Sequence, residues 1–366
     1  MRLKLLVLVV AIAGCSSIPA RLLPKSPEPT FTPAVGFEFG CRLPVSWLPS
    51  AIDANAANSG AGFISLPAAA LTGREALPQS QPFIRVPAYD EAVHRWLPVP
   101  RSAISPDGLH YAYADYDPPV VGAISAFRSM GVQGANAPLI ADSGRVHLVD
   151  AQTGVDRVVF AGKPAFAIVD LTQSKIYLAR FKASFAGTGS SGLFVMDANG
   201  GTPAAIPGAD YGLDRGGWSV IAGGSAWGTR FTQGPGAMWP GNQVVRFDLQ
   251  THAIEAWFTA PNEDTVEILG FDHGTPLVLA RKAVGQGPAG IEVALATGPE
   301  LSTKVMSTDN ANDPVPSAFG VASTVADTHG TWMGGIGNLW RFDGGALHHV
   351  SVLDPQAVVS VGGSCL

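Results

Sequence analysis

The feature that most constrains the fold of this chain is a strand–turn–strand unit that recurs along most of its length. Residues 145–160 read RVHLVDAQTGVDRVVF: one strand ends at Asp150, a turn passes through Thr153 and Gly154, and a second strand follows. An aspartate can accept hydrogen bonds from backbone N–H groups of its own turn, and glycine readily adopts a positive φ. The unit therefore predicts a tight β-hairpin.

Further copies of the unit place the same aspartate at Asp197, Asp248 and Asp343, so that these aspartates follow one another at 47, 51 and 95 residues. The last interval is two units long, and a degenerate copy near its middle has Ala294 in the aspartate position. A sixth, earlier copy contains Asp90. We expect all these aspartates to be structural residues of their turns.

A repeat of about 40 to 50 residues made of short strands is typical of a β-propeller. Separate immunoglobulin-like sandwiches would need about 100 residues each, and the coils of a β-helix are much shorter. A large two-sheet fold is a further alternative. Six copies predict an all-β propeller of six blades. Seven blades are the alternative, because residues 37–66 also contain strand-like runs.

A distinctive turn lies within residues 101–114, RSAISPDGLHYAYA. The turn itself is formed by four residues: Ser105, Pro106, Asp107 and Gly108. This segment resembles the hairpin of WD40-like propellers of the TolB type, and residues 192–207 resemble the outer hairpin of the same family. Residues 330–345 are similar to a blade of the two-component-sensor propellers. The resemblance implies a propeller fold, and it carries no catalytic residue because such hairpins are architectural.

The chain begins with two basic residues, Arg2 and Lys4, and an apolar run over residues 5–12. That run is too short to span a bilayer, which takes about 20 residues. The following Ile-Ala-Gly-Cys, ending at Cys15, resembles the lipobox of bacterial lipoproteins. The resemblance implies cleavage of residues 1–14 and lipidation of Cys15, and two or more acyl chains anchor a protein stably. An ordinary cleaved signal peptide is the alternative.

Three regions follow from these patterns: a lipoprotein signal peptide (1–14), a Pro/Ser-rich tether after the lipidated cysteine (15–35), and a single propeller domain (36–366). Prolines and small polar residues make the tether unsuited to a packed element. We therefore expect an extracytoplasmic protein, lipid-anchored to the outer face of the cell membrane or to the outer membrane.

The two remaining cysteines, Cys41 and Cys365, predict a disulfide bond, because an even pair in an exported protein is typically oxidised. Two unpaired buried thiols are the alternative. Propellers commonly close by pairing strands from both chain ends within one blade. Residues 358–362 are then expected beside the strand around residues 37–43, where the disulfide would join the chain ends.

Signals of catalysis are weak in this sequence. The eight histidines form no HExxH motif, and no GxSxG motif occurs. We assign no catalytic residue, metal ligand or cofactor. The net charge of −6 without a basic block argues against nucleic-acid binding.

One segment, residues 211–242, combines aromatic and basic side chains among many glycines. Aromatic rings can stack on a ligand, and arginine offers a fork of hydrogen-bond donors. The candidate ligand-binding residues are Trp218, Trp227, Trp239, Arg215 and Arg230. The alternative is that these tryptophans fill gaps between blades.

The favoured function is a non-enzymatic binding or scaffold module of the cell envelope. Its expected partners are the membrane, through the lipid, and another envelope protein, a peptide or a glycan. One alternative is an extracellular propeller hydrolase or lyase acting on a polymer. Another is an extracytoplasmic sensor or accessory subunit.

Overall fold

The structure is a computed structural model. It describes the following residues: 39–48, 60–76, 87–117, 143–184, 187–209, 218–230, 241–260, 265–281, 290–299, 302–308, 316, 324–351 and 358–366. The predicted signal peptide, Cys15 and the tether lie outside the described residues. Within the described ranges, no helix is long and apolar enough to cross a bilayer.

The described strands form six antiparallel blades, which we number along the chain. The first blade combines both ends of the chain: β1 (Cys41–Leu48), β2 (Gly60–Leu66), β3 (Ala70–Glu75) and, innermost, β25 (Val358–Val361). A separate hairpin follows it: β4 (Ala88–Asp90) and β5 (Arg95–Leu97). The second blade follows a 3-10 turn at Arg101–Ala103 and contains β6 (His110–Asp117), β7 (Ser143–Asp150) and β8 (Asp156–Gly162).

The other four blades each have four strands in sequence order, counted from the centre outwards. The third has β9 (Phe166–Leu171), β10 (Lys175–Ser184), β11 (Gly187–Asp197) and β12 (Ala204–Ala205). The fourth has β13 (Trp218–Ala222), β14 (Ser225–Arg230), β15 (Gln243–Asp248) and β16 (Ile254–Thr259). The fifth has β17 (Thr265–Asp272), β18 (Thr275–Arg281), β19 (Ile291–Ala296) and β20 (Ser302–Thr308). The sixth has β21 (Thr324–Asp327), β22 (Gly330–Ile336), β23 (Asn338–Phe342) and β24 (Leu347–Ser351).

The hydrophobic core is divided among the gaps between blades. Each main cluster joins side chains of two neighbouring blades: the second to the third, the third to the fourth, the fourth to the fifth, the fifth to the sixth, and the sixth to the first. A strand buried on both faces cannot alternate strictly between apolar and polar residues, which explains apolar runs such as Val244–Val245. The predicted all-β propeller is confirmed.

Strand β25 closes the first blade. It pairs with β1 from Val45 opposite Val361 to Leu48 opposite Val358. Its other edge meets β22 of the sixth blade, where Val359 lies opposite Gly335. The predicted closure by strands from both chain ends is therefore confirmed.

The predicted disulfide between Cys41 and Cys365 is present, with Cα atoms 5.6 Å apart and a sequence separation of 324. Beside it, the N–H of Arg42 donates to the carbonyl of Leu366, and the N–H of Leu366 donates back, both at 3.1 Å. Covalent and hydrogen bonds thus fasten the two chain ends at one point.

The copy of the repeat that contains Asp90 is not part of a blade, and this corrects the assignment from the sequence. Strands β4 and β5 form a wedge between the first and second blades. On one side Tyr89 contacts Phe63, with ring centroids 4.9 Å apart. On the other side Leu97 packs with Ala103 and Ile104. Six blades remain, because the first blade has its own outer hairpin, β2–β3.

The two ends of the propeller differ. Successive connections in an antiparallel sheet alternate between its ends. In the four-stranded blades the first-to-second and third-to-fourth strand connections therefore share one end of the molecule, which we call the turn end. In the second blade the segment at Ile104, which bridges to Tyr111, takes the innermost position, so the β7–β8 connection lies at the same end. The aspartate-containing turns and the disulfide lie there. The remaining connections lie at the opposite end.

Candidate functional site

The turn aspartates of the repeat bind their own backbones. The carboxylates of Asp150 and Asp248 each accept hydrogen bonds from the N–H groups two and three residues ahead, at 2.7 to 3.0 Å. Asp343 does the same at 2.9 and 3.1 Å, and Asp197 accepts one such bond at 2.9 Å. Backbone hydrogen bonds to the charged form lower the pKa of Asp150 and Asp248. These side chains shape turns at the turn end.

The Ser-Pro-Asp-Gly turn is similarly self-contained. The Ser105 hydroxyl donates to Asp107 at 2.6 Å, and the Gly108 N–H donates to the Ser105 carbonyl at 2.8 Å. The second oxygen of Asp107 accepts a hydrogen bond at 2.7 Å from Gln173 of the third blade. Pro106 lies within the turn. The motif therefore also ties two blades together.

The tryptophan segment does not form one ligand surface within the described residues. Trp218 is buried between the third and fourth blades, and Trp227 between the fourth and fifth. The Arg230 guanidinium hydrogen-bonds to Gln243 beside it on β15. The two described rings fill interblade gaps, so the hypothesis that they stack on a ligand is not supported. Trp239 and Arg215 lie outside the described residues.

A cleft of about 650 Å³ opens at the turn end between the fifth and sixth blades. We call it the turn-end cleft. Its charged and imidazole lining comes from three turns and one strand: Asp272, His273, Asp327, His329, Arg341 and Asp343. Ligand pockets commonly have volumes of roughly 300 to 1,000 Å³. The cleft is thus large enough for a small ligand or a few residues of a peptide.

Asp327 is fixed at the inner wall of the turn-end cleft. One carboxylate oxygen accepts the His329 N–H at 2.7 Å. The other accepts the Trp332 indole N–H at 2.9 Å and the Cys365 N–H at 2.8 Å. This carboxylate connects the cleft to the disulfide that closes the ring.

Arg341 and Asp343 form another wall of the turn-end cleft. Arg341 donates to the His329 carbonyl at 2.8 Å and to Asp343 at 3.2 Å, and its guanidinium lies 4.8 Å from the centre of the Phe39 ring. Partial burial raises the pKa of Asp343, but hydrogen bonds from the Ala346 N–H and from His348 outweigh burial and lower it to about 2. Asp343 is therefore a fixed negative charge at neutral pH.

A second polar cluster lies on the second blade, which we call the blade-two cluster. It consists of Tyr113, Asp115, Arg145, His147 and Asp156, drawn from all three strands of the blade. The Tyr113 hydroxyl donates to Asp156 at 2.6 Å, and the other Asp156 oxygen lies 2.9 Å from Nδ1 of His147. The Tyr113 and His147 rings stack with centroids 4.3 Å apart.

Asp115 and Arg145 complete the blade-two cluster as an ion pair. Nε of Arg145 lies 3.0 and 3.1 Å from the two Asp115 oxygens. Burial raises the pKa of Asp115, yet hydrogen bonding to Arg145 and its charge hold the net pKa below the usual value. Burial and the hydrogen bond to Asp156 raise the pKa of Tyr113. At neutral pH the Tyr113 hydroxyl is therefore protonated and donates a hydrogen bond, and the ionised Asp115 carboxylate accepts hydrogen bonds.

Sequence reasoning missed both sites. The blade-two cluster draws on residues up to 43 apart, as between Tyr113 and Asp156. The turn-end cleft combines turns of two blades. One local signal was available: His147 occupies a repeat position that carries Phe194, Val245 and Trp340 in other copies, each three residues before the turn aspartate. A polar residue at an otherwise apolar repeat position marks a departure from the core pattern.

Comparisons with known proteins give little information about the function of these two sites. No protein-family model matches the chain, and no curated protein matches its sequence. Solved structures similar to it include TolB from Acinetobacter baumannii, at 11% identity and a TM-score of 0.41, covering 88% of this chain and 67% of that one. Another is an oligogalacturonate lyase in complex with manganese, at 12% identity and a TM-score of 0.42, covering 79% and 70%. At these TM-scores neither likeness carries an argument about function.

Proposed function

We propose that this chain is a lipid-anchored protein of the bacterial cell envelope whose propeller binds a peptide segment of another protein. The turn-end cleft is the proposed binding site. The observation that carries the proposal is that Asp327, Arg341 and Asp343 of the cleft are held in place by hydrogen bonds before any ligand arrives. Preorganised groups lose little conformational entropy when they bind.

The charges of the cleft favour a basic peptide. Three aspartates line it against one arginine, and the low pKa of Asp343 keeps that carboxylate ionised. Asp272 is partly exposed on the rim. A lysine or arginine side chain is the complementary group.

The attachment to a membrane is proposed from residues 1–15, where a basic start, an apolar run and small residues precede Cys15. Its test is the variant Cys15→Ser. We expect this variant to move from the membrane fraction to the soluble fraction of the cell and to lose incorporation of labelled fatty acid. A variant that stays with the membrane and still carries the label would contradict the anchor.

The binding proposal is tested with two fluorescein-labelled decapeptides, one with alternating lysines and one with alternating glutamates. Fluorescence anisotropy with the full chain should show binding of the basic peptide, weakening as salt rises. Asp272→Asn should weaken it about five- to tenfold. Glu255→Gln, an equal charge change at an exposed position on β16 of the fourth blade, should not. Equal binding of the two peptides, or unchanged binding by Asp272→Asn, would contradict the proposed cleft.

One observation favours the enzymatic alternative, a hydrolase or lyase acting on a polymer. Asp170 lies on the innermost strand of the third blade, and burial raises its pKa to about 6. A carboxyl group with such a pKa can exchange a proton near neutral pH. Turnover of a polysaccharide by the full chain, abolished by Asp170→Asn, would favour this alternative over the binding module.

A further inference from the structure

The repeat makes one position of each outer hairpin easy to compare between blades. The residue three before the turn aspartate is Phe194, Val245 and Trp340 in the third, fourth and sixth blades. Each packs towards the preceding blade as part of the interblade core. The second blade has His147 at this position.

The residue opposite this position on the neighbouring strand is likewise polar in the second blade and apolar in the third and sixth blades. Leu178 lies opposite Phe194, and Met333 lies opposite Trp340; both are buried. In the second blade the corresponding pair is Tyr113 opposite His147. A position that elsewhere supports an apolar interblade core here carries two polar rings. Departures from a consistent core pattern are expected at functional sites.

The β4–β5 wedge explains why polar residues are tolerated on this face of the second blade. The short strands β4 and β5 replace a full neighbouring sheet, and their cluster reaches only the inner part of this face, at Tyr111 and Tyr113. Farther out, the side chains of Arg145 and Asp156 are 57% and 41% exposed. Val158, opposite His147 in the register of β7 and β8, is 48% exposed. The outer part of the face is open to solvent.

We propose that the blade-two cluster, with Val158 beside it, binds a neutral glycan. The proposal is independent of the peptide cleft. Neighbouring strands lie about 4.8 Å apart and alternate residues along a strand about 7 Å apart, so the face measures roughly 7 by 10 Å. This is comparable to the size of a disaccharide.

The distribution of donors and acceptors sets the ligand class. Asp156 and Asp115 offer acceptors, and Arg145 offers donors, within one face. Each charged side chain of the cluster already has a partner within it, Asp115 with Arg145 and Asp156 with Tyr113, so a charged sugar would have to compete with that partner. Neutral hydroxyl groups both donate and accept, so one sugar can satisfy both kinds of group. Val158 adds an apolar surface for the C–H face of a sugar ring.

His147 provides an independent sign of a missing partner. The residue is 7% exposed, and Nε2 makes no hydrogen bond within the described residues. This nitrogen lies 3.5 Å from an Asp115 oxygen, which is an electrostatic contact rather than a hydrogen bond. Buried polar atoms are normally hydrogen-bonded. One hydroxyl group can bond to both atoms once the side chains that cover this buried nitrogen move aside.

The experiment uses the full chain and hexamers of glucose, mannose, xylose and N-acetylglucosamine as neutral probes. Galacturonate and glucosamine hexamers serve as charged probes. Isothermal titration should detect at least one neutral hexamer and neither charged one. His147→Val and Tyr113→Leu give the second blade residues that other blades carry, so folding should be retained while binding weakens at least tenfold.

Two further measurements make the test decisive. Arg145→Gln and Asp156→Asn change exposed side chains, and each should weaken binding by several fold. They keep the test valid even if His147→Val or Tyr113→Leu misfolds. Glu255→Gln should bind as the unchanged protein does. The proposal is overturned if no neutral hexamer binds, if a charged hexamer binds better, or if the folded variants bind normally. The basic-peptide assay should be unaffected by all four variants.

Discussion

Two aspartates of the repeat show which contacts are set by the local turn and which are set by tertiary packing. Asp248 bonds to its own turn, which its sequence context predicted. Asp90 belongs to a similar sequence, yet it is buried and also accepts a hydrogen bond from Arg101 at 2.8 Å. The same residue type thus forms a solvent-exposed turn in one copy, whereas in another it is a buried carboxylate paired with a half-exposed arginine.

The first prediction concerns Asp90. Asp90→Ala leaves the Arg101 guanidinium and the Ala92 N–H without their acceptor, which should lower the free energy of unfolding by about 2 kcal/mol. Urea unfolding followed by tryptophan fluorescence measures the change. Glu255→Ala, at an exposed position, should change stability by less than about 0.5 kcal/mol. Equal effects of the two substitutions would show that the buried Asp90 carboxylate and its hydrogen bonds contribute nothing specific to stability.

The second prediction concerns pH and Asp170. Burial raises its pKa from 3.8 to about 6 in the folded protein, so the folded state binds the proton more tightly than the unfolded state. The stability associated with the protonated carboxyl is fully present below pH 4 and is lost as pH rises to about 6. Asp170→Asn should therefore raise Tm at pH 8 and leave it nearly unchanged at pH 4. The same increase at both pH values would contradict burial of the charge as the cause.

Among the elements, the β4–β5 wedge decides what the first and second blades can contact. It packs against the closing strand region, where a Cβ atom added to Gly362 would lie 2.3 Å from the Trp96 ring. Only a residue without a side chain permits this approach. The wedge also leaves the outer face of the second blade open, which is the structural basis of the proposed glycan site.

The third prediction tests this close approach. Gly362→Ala should force Trp96 or the backbone to move and lower the free energy of unfolding by about 1 to 3 kcal/mol. Gly345→Ala is the matched control, because its added Cβ would meet only a carboxylate oxygen of Asp343 at 3.9 Å. Thermal unfolding of both variants gives the comparison. A Gly362→Ala protein as stable as the control would mean that the wedge does not constrain the closing region.

On the scale of the whole molecule, closure of the ring depends on strands from opposite ends of the chain. Four residue pairs join β1 to β25, and the disulfide lies next to them. A contact between residues separated by 324 positions removes much conformational entropy from the unfolded chain. The covalent bond transfers part of that cost to the unfolded state.

The fourth prediction concerns this disulfide. The double variant Cys41→Ser/Cys365→Ser should lose about 3 to 5 kcal/mol of unfolding free energy on the chain-entropy account. Adding a reductant should lower the urea midpoint of the unchanged protein and leave that of the variant as it is. If reduction of the unchanged protein has no effect on the midpoint, the strand pairing alone holds the ring closed.

The amino-acid sequence by itself determined the hairpins, the all-β propeller and its closure, whereas its count of six blades included the Asp90 copy, which the structure places outside the blades. These follow from interactions that are local or periodic: an aspartate bonding to its own turn, a glycine allowing a positive φ, and strands repeating at a fixed interval. The cysteine pair added one long-range constraint that sequence reasoning could use.

Only the tertiary structure decided that the Asp90 copy is a wedge, that Trp218 and Trp227 are buried, and which side chains meet in the two candidate sites. The blade-two cluster joins three strands, and the turn-end cleft joins two blades. Which faces touch depends on how whole blades pack, and no local pattern encodes that packing. The turns could therefore be predicted from the sequence, whereas the two candidate sites could be recognised only from the packing of the blades into the ring.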